Sequence, residues 1–197
     1  MAIPSKPSKR QGDLSHTRHP RVIDTLRQSR NHPPQQRREG DLIVGSASGS
    51  AIATLVERTT RFVVLVHLPN GHSATALHDG LIGALDVMPV PLRRSLTWDQ
   101  GTELARHVEI TKATGVPIFF CDPHSPWQRG SNENANGLLR QYFPKGTDLN
   151  AHSAQRLLEV ATELNERPRK TLNRSTPADL LSRLTSRKEI APVASTA

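Results

Sequence analysis

Cysteine is almost absent from this chain of 197 residues. Cys121 stands alone, which excludes an internal disulfide framework and any multi-cysteine zinc site. Aromatic residues make up only 4% and hydrophobic residues 35%. That supports one packed domain of roughly 100–200 residues and leaves little material for a second. No apolar run, Phe62–Val66 being one of the longer, approaches the roughly 18 residues a membrane helix needs. The N-terminus holds basic residues but not the apolar stretch of a secretory leader. The nine histidines show neither zinc-finger pairing nor H-E-x-x-H spacing. A reducing, cytoplasmic setting is expected.

What is abundant is positive charge, and it is unevenly placed. Lys and Arg number 26 against 18 Asp and Glu, a net of +8. Residues 1–40 hold 9 basic and 3 acidic side chains, which leaves a nearly balanced 17 and 15 for the rest. Pro4, Pro7, Pro20, Pro33 and Pro34 punctuate this first stretch. Residues 1–38 therefore read as a basic, mostly disordered arm, either solvated or meeting a polyanion. They show no helix-turn-helix pattern.

After Gly40 the character changes. Asp41–Val44, Ala51–Val56 and Phe62–Leu68 are short β-branched runs, spaced as an antiparallel meander of three strands. Leu77, Leu81, Ile82 and Leu85 recur at helical spacing, closed before Pro89. Leu92–Trp98 reads as a fourth strand, Thr102–Thr114 as a helix stopped at Gly115, and Val116–Cys121 as a fifth strand. Further helices are expected over about 128–142 and 153–166. The order predicts an α/β fold with a five-stranded mixed sheet flanked by helices. A core over 39–150, a helical extension over 151–185 and a disordered tail over 186–197 are expected.

Three carboxylates stand out by position. Asp41 is at the start of the first expected strand, Asp99 just past the fourth, and Glu133 in the helix after the fifth. Acidic oxygens converging from separate elements are what phosphoryl transfer through divalent metals needs. With 18 acidic residues, chance placement at strand ends is the competing reading. On the Glu133 helix, Arg129, Glu133, Gly137 and Arg140 fall near one line, opposite Ala135, Leu138, Leu139 and Tyr142. That stripe suits a metal-phosphate site; an ordinary solvated face with an Arg129–Glu133 pair suits it too. Ser125 is the expected N-cap, with Pro126 at the first helical position and Gln128 at the third.

The wording of the segments is more specific than their placement. Gly40-Asp41-Leu42-Ile43-Val44-Gly45, Thr54-Leu55-Val56-Glu57-Arg58-Thr59-Thr60-Arg61 and Thr97-Trp98-Asp99-Gln100-Gly101-Thr102-Glu103 resemble bacterial insertion-sequence transposases of family thirty. So do Phe120-Cys121-Asp122-Pro123-His124-Ser125-Pro126-Trp127-Gln128-Arg129-Gly130-Ser131-Asn132-Glu133-Asn134 and Arg140-Gln141-Tyr142-Phe143-Pro144-Lys145-Gly146-Thr147-Asp148. The resemblance runs over about 39–183, and 33 residues separate Asp99 from Glu133, a spacing that fits this family.

The resemblance implies a ribonuclease H-like, integrase-type core with Asp41, Asp99 and Glu133 as catalytic and metal-holding acids. It implies two Mg²⁺ ions, with Mn²⁺ as substitute, Asp41 bridging them. The implied chemistry is hydrolysis at the element end to free a 3′-hydroxyl, then attack of that hydroxyl on a second phosphodiester. Partners would be terminal inverted repeats and target DNA, with a homo-oligomer forming on DNA. Arg140 stands where relatives keep a basic residue. It joins Arg129, Trp127, Gln128, Lys145, Arg169 and Lys170 as candidate DNA contacts. For Trp127 the alternative is helix-start packing, and for the Arg167, Arg169, Lys170 and Arg174 cluster a solvated loop. His124 and Asp122 read as turn residues and Cys121 as core. Relatives place an aromatic where Arg38 stands, and Gly-Trp before the counterpart of Thr176-Pro177. They also carry a helix-turn-helix region upstream that reads the inverted repeats, so this chain is expected to be a catalytic core without its reader. The alternative is a truncated, non-catalytic DNA-binding relic or an inhibitory partner of a full-length transposase.

Overall fold

The tightly spaced β-branched runs form the expected antiparallel meander, β1 (Arg37–Val44), β2 (Ala51–Glu57) and β3 (Val63–Leu68). β4 (Ser95–Trp98) joins β1 in parallel, and β5 (Ile118–Phe120) joins β4 in parallel. The result is one mixed sheet in the order β3-β2-β1-β4-β5. The helices are α1 (Ala74–Asp86), α2 (His107–Thr114), α3 (Gly130–Leu139), α4 (Ala154–Glu166) and α5 (Pro177–Glu189). This computed structural model describes residues 37–46, 49–88, 93–99, 101–122 and 126–189; 1–36 of the expected arm and 190–197 of the expected tail lie outside them, while 37–38 open β1 and 186–189 continue α5.

Alternation along the strands divides the apolar side chains between two cores. On one face Ala51, Ala53, Leu55, Leu96 and Trp98 meet Leu77, Leu81 and Leu85 of α1 and Ile110 of α2. On the other, the paired residues Ile43 and Ile52 meet Leu139 of α3, Phe143, Leu149, and Leu157, Val160 and Leu164 of α4. β2, covered on both faces, is buried at every residue. The helix starts follow ordinary capping chemistry: Ser73 and Ser153 accept from Ala76 N at 3.2 Å and Arg156 N at 3.1 Å. Gly115 ends α2 in the left-handed region, at φ 71°, as its position predicts.

Several boundaries move, each for a physical reason. β1 begins at Arg37, so Asp41 is its fifth residue and not its first. The added residues look unlike a strand, yet Arg38 pairs with Glu57 and Glu39 with Val56 across the ladder, and both Arg38 and Glu39 are buried. Burial holds the Arg38 guanidinium down at about 10, against the opposing pull of Glu57. β4 begins at Ser95, and β5 is confined to Ile118–Phe120 because Pro117 has no N–H for the ladder. The 102–114 helix divides into a 3-10 turn over Thr102–Leu104 and α2. The long helix expected from Gln128 is a 3-10 turn over Pro126–Arg129 followed by α3, which ends at Leu139. Its expected cap, Ser125, lies outside the described residues, as do Leu92, Pro123 and His124. Among the described residues no helix is long and apolar enough to cross a membrane.

Candidate active site

On β1, Glu39, Asp41 and Ile43 share one face and Gly40 the other. A Cβ on Gly40 would stand 2.1 Å from Trp98 Cε3, so only glycine lets β1 lie against that ring. β1 and β4 are parallel with Glu39 level with Thr97. Continuing that register two residues brings Asp41 level with Asp99 on neighbouring strands, about 4.8 Å apart in a sheet. Two carboxylates therefore emerge together on the face that α3 covers.

The segment leading into α3 neutralises them. Arg129 Nη1 lies 3.3 Å from Asp41 Oδ1 and its Nη2 2.5 Å from Asp99 Oδ2. One guanidinium thus bridges both acids. Asn136 Nδ2 donates to the other Asp41 oxygen at 2.9 Å, and the Leu42 N–H donates to Asp41 Oδ1 at 2.9 Å. Burial raises the Asp41 carboxyl above its ordinary value; the Leu42 N–H and Arg129 oppose that, and Asp99 adds to it. Asp99, with its side chain 52% exposed, is the open side of the pair.

Glu133 is exposed in the first turn of α3 and makes no hydrogen bond or ion pair with any described residue. Among the described residues no three His, Cys, Asp or Glu side chains converge as a metal site. Within α3 the expected division holds for Glu133 and Gly137, which are exposed, against Ala135 and Leu139, which are buried; Arg129 leaves the expected stripe. The buried face of α3 is Ser131, Asn132, Ala135 and Leu139, with Asn136 beside it on Asp41. Arg129 ends the 3-10 turn over Pro126–Arg129, where the regular progression of about 100° per residue does not hold. Arg129 consequently reaches Asp41 and Asp99 instead of Glu133.

The other expected contact residues are scattered. Arg140 folds back, its Nη1 donating to the Phe143 carbonyl at 3.3 Å, and burial lowers its pKa. Gln128 is paired with Asp122: its Oε1 accepts the Asp122 N–H at 2.9 Å and its Nε2 donates to Asp122 Oδ2 at 3.0 Å. Arg169 Nη2 donates to the Leu164 carbonyl at 3.1 Å, with its pKa lowered by burial. Lys145 and Lys170 are exposed. The Trp127 side chain lies outside the described residues. Cys121 is buried as expected, and burial pushes its thiol up to about 11.

Sequence reasoning missed the polar residues beneath the site. Glu39, Thr54 and Asn132 are all fully buried. Asn132 Nδ2 donates to the Glu39 and Thr54 carbonyls at 3.0 and 3.2 Å, and Thr54 Oγ1 donates to Asn132 Oδ1 at 2.8 Å. Both Thr54 and Asn132 fall inside the distinctive strings, which was the available signal. Chemically, Asp41 and Asp99 are hard oxygen donors already gathered around one positive centre. That donor chemistry fits a divalent cation such as Mg²⁺ or Mn²⁺.

Residues 31–126 match the family described as integrase core domain. The transposase for insertion sequence element IS1086 of Cupriavidus metallidurans is 55% identical over 146 residues, covering 74% of this chain and 43% of the relative. Transposase InsI for insertion sequence element IS30A of Escherichia coli K12 is 51% identical over 145 residues, covering 74% of this chain and 37% of the relative. The chain thus spans less than half the length of either relative. The catalytic core domain of BIV integrase superposes with a TM-score of 0.59 at 18% identity, covering 79% of this chain and 99% of that one. A simian T-cell lymphotropic virus intasome chain gives 0.57 at 17% identity, over 83% and 57%. At these identities the structural likeness establishes the integrase-core fold.

Proposed function

The chain belongs to the insertion-sequence transposases with an integrase core domain, and from that premise we propose that it carries the catalytic core for cutting and joining DNA. The observation that carries this reading is the convergence of Asp41 and Asp99 on one cation, the Arg129 guanidinium. Asp41, Asp99 and Glu133 are the proposed catalytic acids and the residues that would hold two Mg²⁺ or Mn²⁺ ions. Bound metal would supply Lewis acidity at the phosphate oxygens and a more acidic water. What supports Glu133 as the third member is that Arg129, four residues before it, and Asn136, three after it, both reach Asp41.

Two displacements at phosphorus complete the reaction. In the first, water oxygen bonds to phosphorus, the bond to the 3′-oxygen breaks, and that oxygen takes a proton to leave a 3′-hydroxyl. In the second, the 3′-oxygen bonds to a phosphorus of the target strand and displaces that strand's own 3′-oxygen. Bond number is conserved, so no energy-supplying co-reactant is needed. The protein's part is to position DNA and to place charge. The DNA-contacting set is Arg129, Arg140, Trp127, Gln128, Lys145, Arg169 and Lys170. The element's inverted repeats and the target are the partners, and the chain pairs with further copies on DNA in the bacterial cytoplasm.

The test is Mn²⁺-dependent nicking of supercoiled DNA by the chain, by Asp99→Asn and by Glu133→Gln. The parent is expected to nick. Each variant should lose at least about 100-fold while still binding DNA, since even the outer partners of metal ligands cost 10–100-fold. A folded parent that binds DNA without nicking would make the chain a non-catalytic DNA-binding relic or an inhibitory partner of a full-length transposase.

A further inference from the structure

We propose that Glu39 is a positioning residue which, from β1, caps the N-terminus of α3 and fixes where that helix presents Glu133. The proposal rests on the reading of Asp41, Asp99 and Glu133 as the catalytic acids.

The first N–H groups of a helix need acceptors from outside it. The α3 N-cap residue, Arg129, supplies none from its side chain, which makes no cap bond and is committed to Asp41 and Asp99. Glu39 fills that role from another element: its Oε2 accepts the Asn132 N–H at 2.9 Å. A carboxylate at a helix N-terminus is also favoured by the helix dipole. The other oxygen, Oε1, is 2.9 Å from Arg58 Nε, which compensates a charge that is otherwise fully buried. The Asn132 side chain closes the arrangement through the Glu39 carbonyl, the Thr54 carbonyl and the Thr54 hydroxyl.

Sequence adjacency turns this anchor into a device for the site. Glu39 is two residues before Asp41 on one strand face, and Asn132 is the residue before Glu133. The bonded pair therefore links the strand of the first acid to the helix of the third. Sliding α3 by one residue would rotate Glu133 by about 100° and break every bond of the anchor. An ion pair with one buried partner is a poor source of stability compared with packed apolar side chains, but the directional bonds between Glu39 and Asn132 fix register. Catalytic groups misplaced by 1 Å can lose about 100-fold in rate, so register is what this site needs.

The experiment combines hydrogen exchange of the α3 amides with nicking kinetics in Mn²⁺, on the full chain. Glu39→Met keeps the length and loses the acceptor. It is expected to speed α3 exchange about tenfold, leave the sheet amides unchanged, and lower kcat about tenfold at unchanged KM for DNA. Glu39→Gln, which keeps an oxygen for the Asn132 N–H, should restore both to within about threefold. Unchanged α3 exchange in Glu39→Met, an unchanged kcat, or a change confined to KM would overturn the proposal. Should Glu39→Met not fold, Thr54→Val removes the hydroxyl's 2.8 Å bond to Asn132, together with its longer 3.3 Å bond to the Asp41 carbonyl, and leaves Glu39 in place. It is expected to lower kcat and loosen α3 about threefold, and no change in either would count equally against the anchor. If the parent fails to nick while α3 loosens in Glu39→Met, the catalytic reading falls and the anchor stands.

Discussion

Arg129 is the residue on which the candidate site turns. Its guanidinium stands between two carboxylates that would otherwise repel each other across neighbouring strands. Arg129→Met should therefore expose that repulsion. Without divalent metal the variant is expected to be less stable by about 1 kcal/mol, a modest figure because Asp99 is half-exposed. For a chain of this size that corresponds to roughly 2–4 °C in Tm. With Mn²⁺ added, its Tm should rise by more than the parent's, because a cation then supplies the missing charge. Thermal melts in EDTA and in Mn²⁺ measure both quantities, and equal Mn²⁺ shifts in the two chains would contradict the placement of Arg129 between the acids.

Among the elements, β3 shows how a single side chain finishes a sheet edge. Asn165 of α4 accepts the Val63 N–H and donates to the Val63 carbonyl, both at 2.8 Å. The edge is thereby capped by an amide where a further strand could otherwise add. Asn165→Ala leaves two buried backbone groups unpaired, and at about 1–3 kcal/mol each the expected loss is roughly 2–6 kcal/mol. A urea midpoint unchanged from the parent would show that water satisfies those groups. Element order, the meander, the Gly115 stop and the 153–166 helix were all legible in the sequence, because each rests on local spacing or local chemistry. The start of β1 was not, since Arg37-Arg38-Glu39 reads as a charged arm until Glu57 and Arg58 are known to face it. The site divides in the same way. Asp41 and Asp99 were visible as acids beside strand ends. Glu39, Asn132 and Asn165 were not, because side chains bonding to distant backbone leave no periodic signature.

At the scale of the molecule, Cys121 is buried just past β5, where the charges of Arg129 and Asp99 reach it from the candidate site. Its thiol is raised to about 11 from an ordinary 9.0. A raised pKa means the folded state holds the proton more tightly. The thiol's contribution to stability is therefore complete below pH 9 and is lost as pH rises from about 9 to about 11. Between those values the parent should lose more stability than Cys121→Ala, as urea midpoints at pH 8 and pH 10.5 would record; parallel loss in the two chains would contradict it. The course of the chain carries a last implication. The sheet, α1 and α2 are complete by residue 122, and α3 to α5 follow from residue 130. The second core, the Glu39–Asn132 bond and the Asn165–Val63 bonds are all seams between these halves. Cleaving the chain within 123–125 would turn each seam into a recognition surface between two fragments, one bearing Asp41 and Asp99 and the other Glu133. On the function proposed, neither fragment would be active alone, and mixing them would make catalysis a reporter of their reunion.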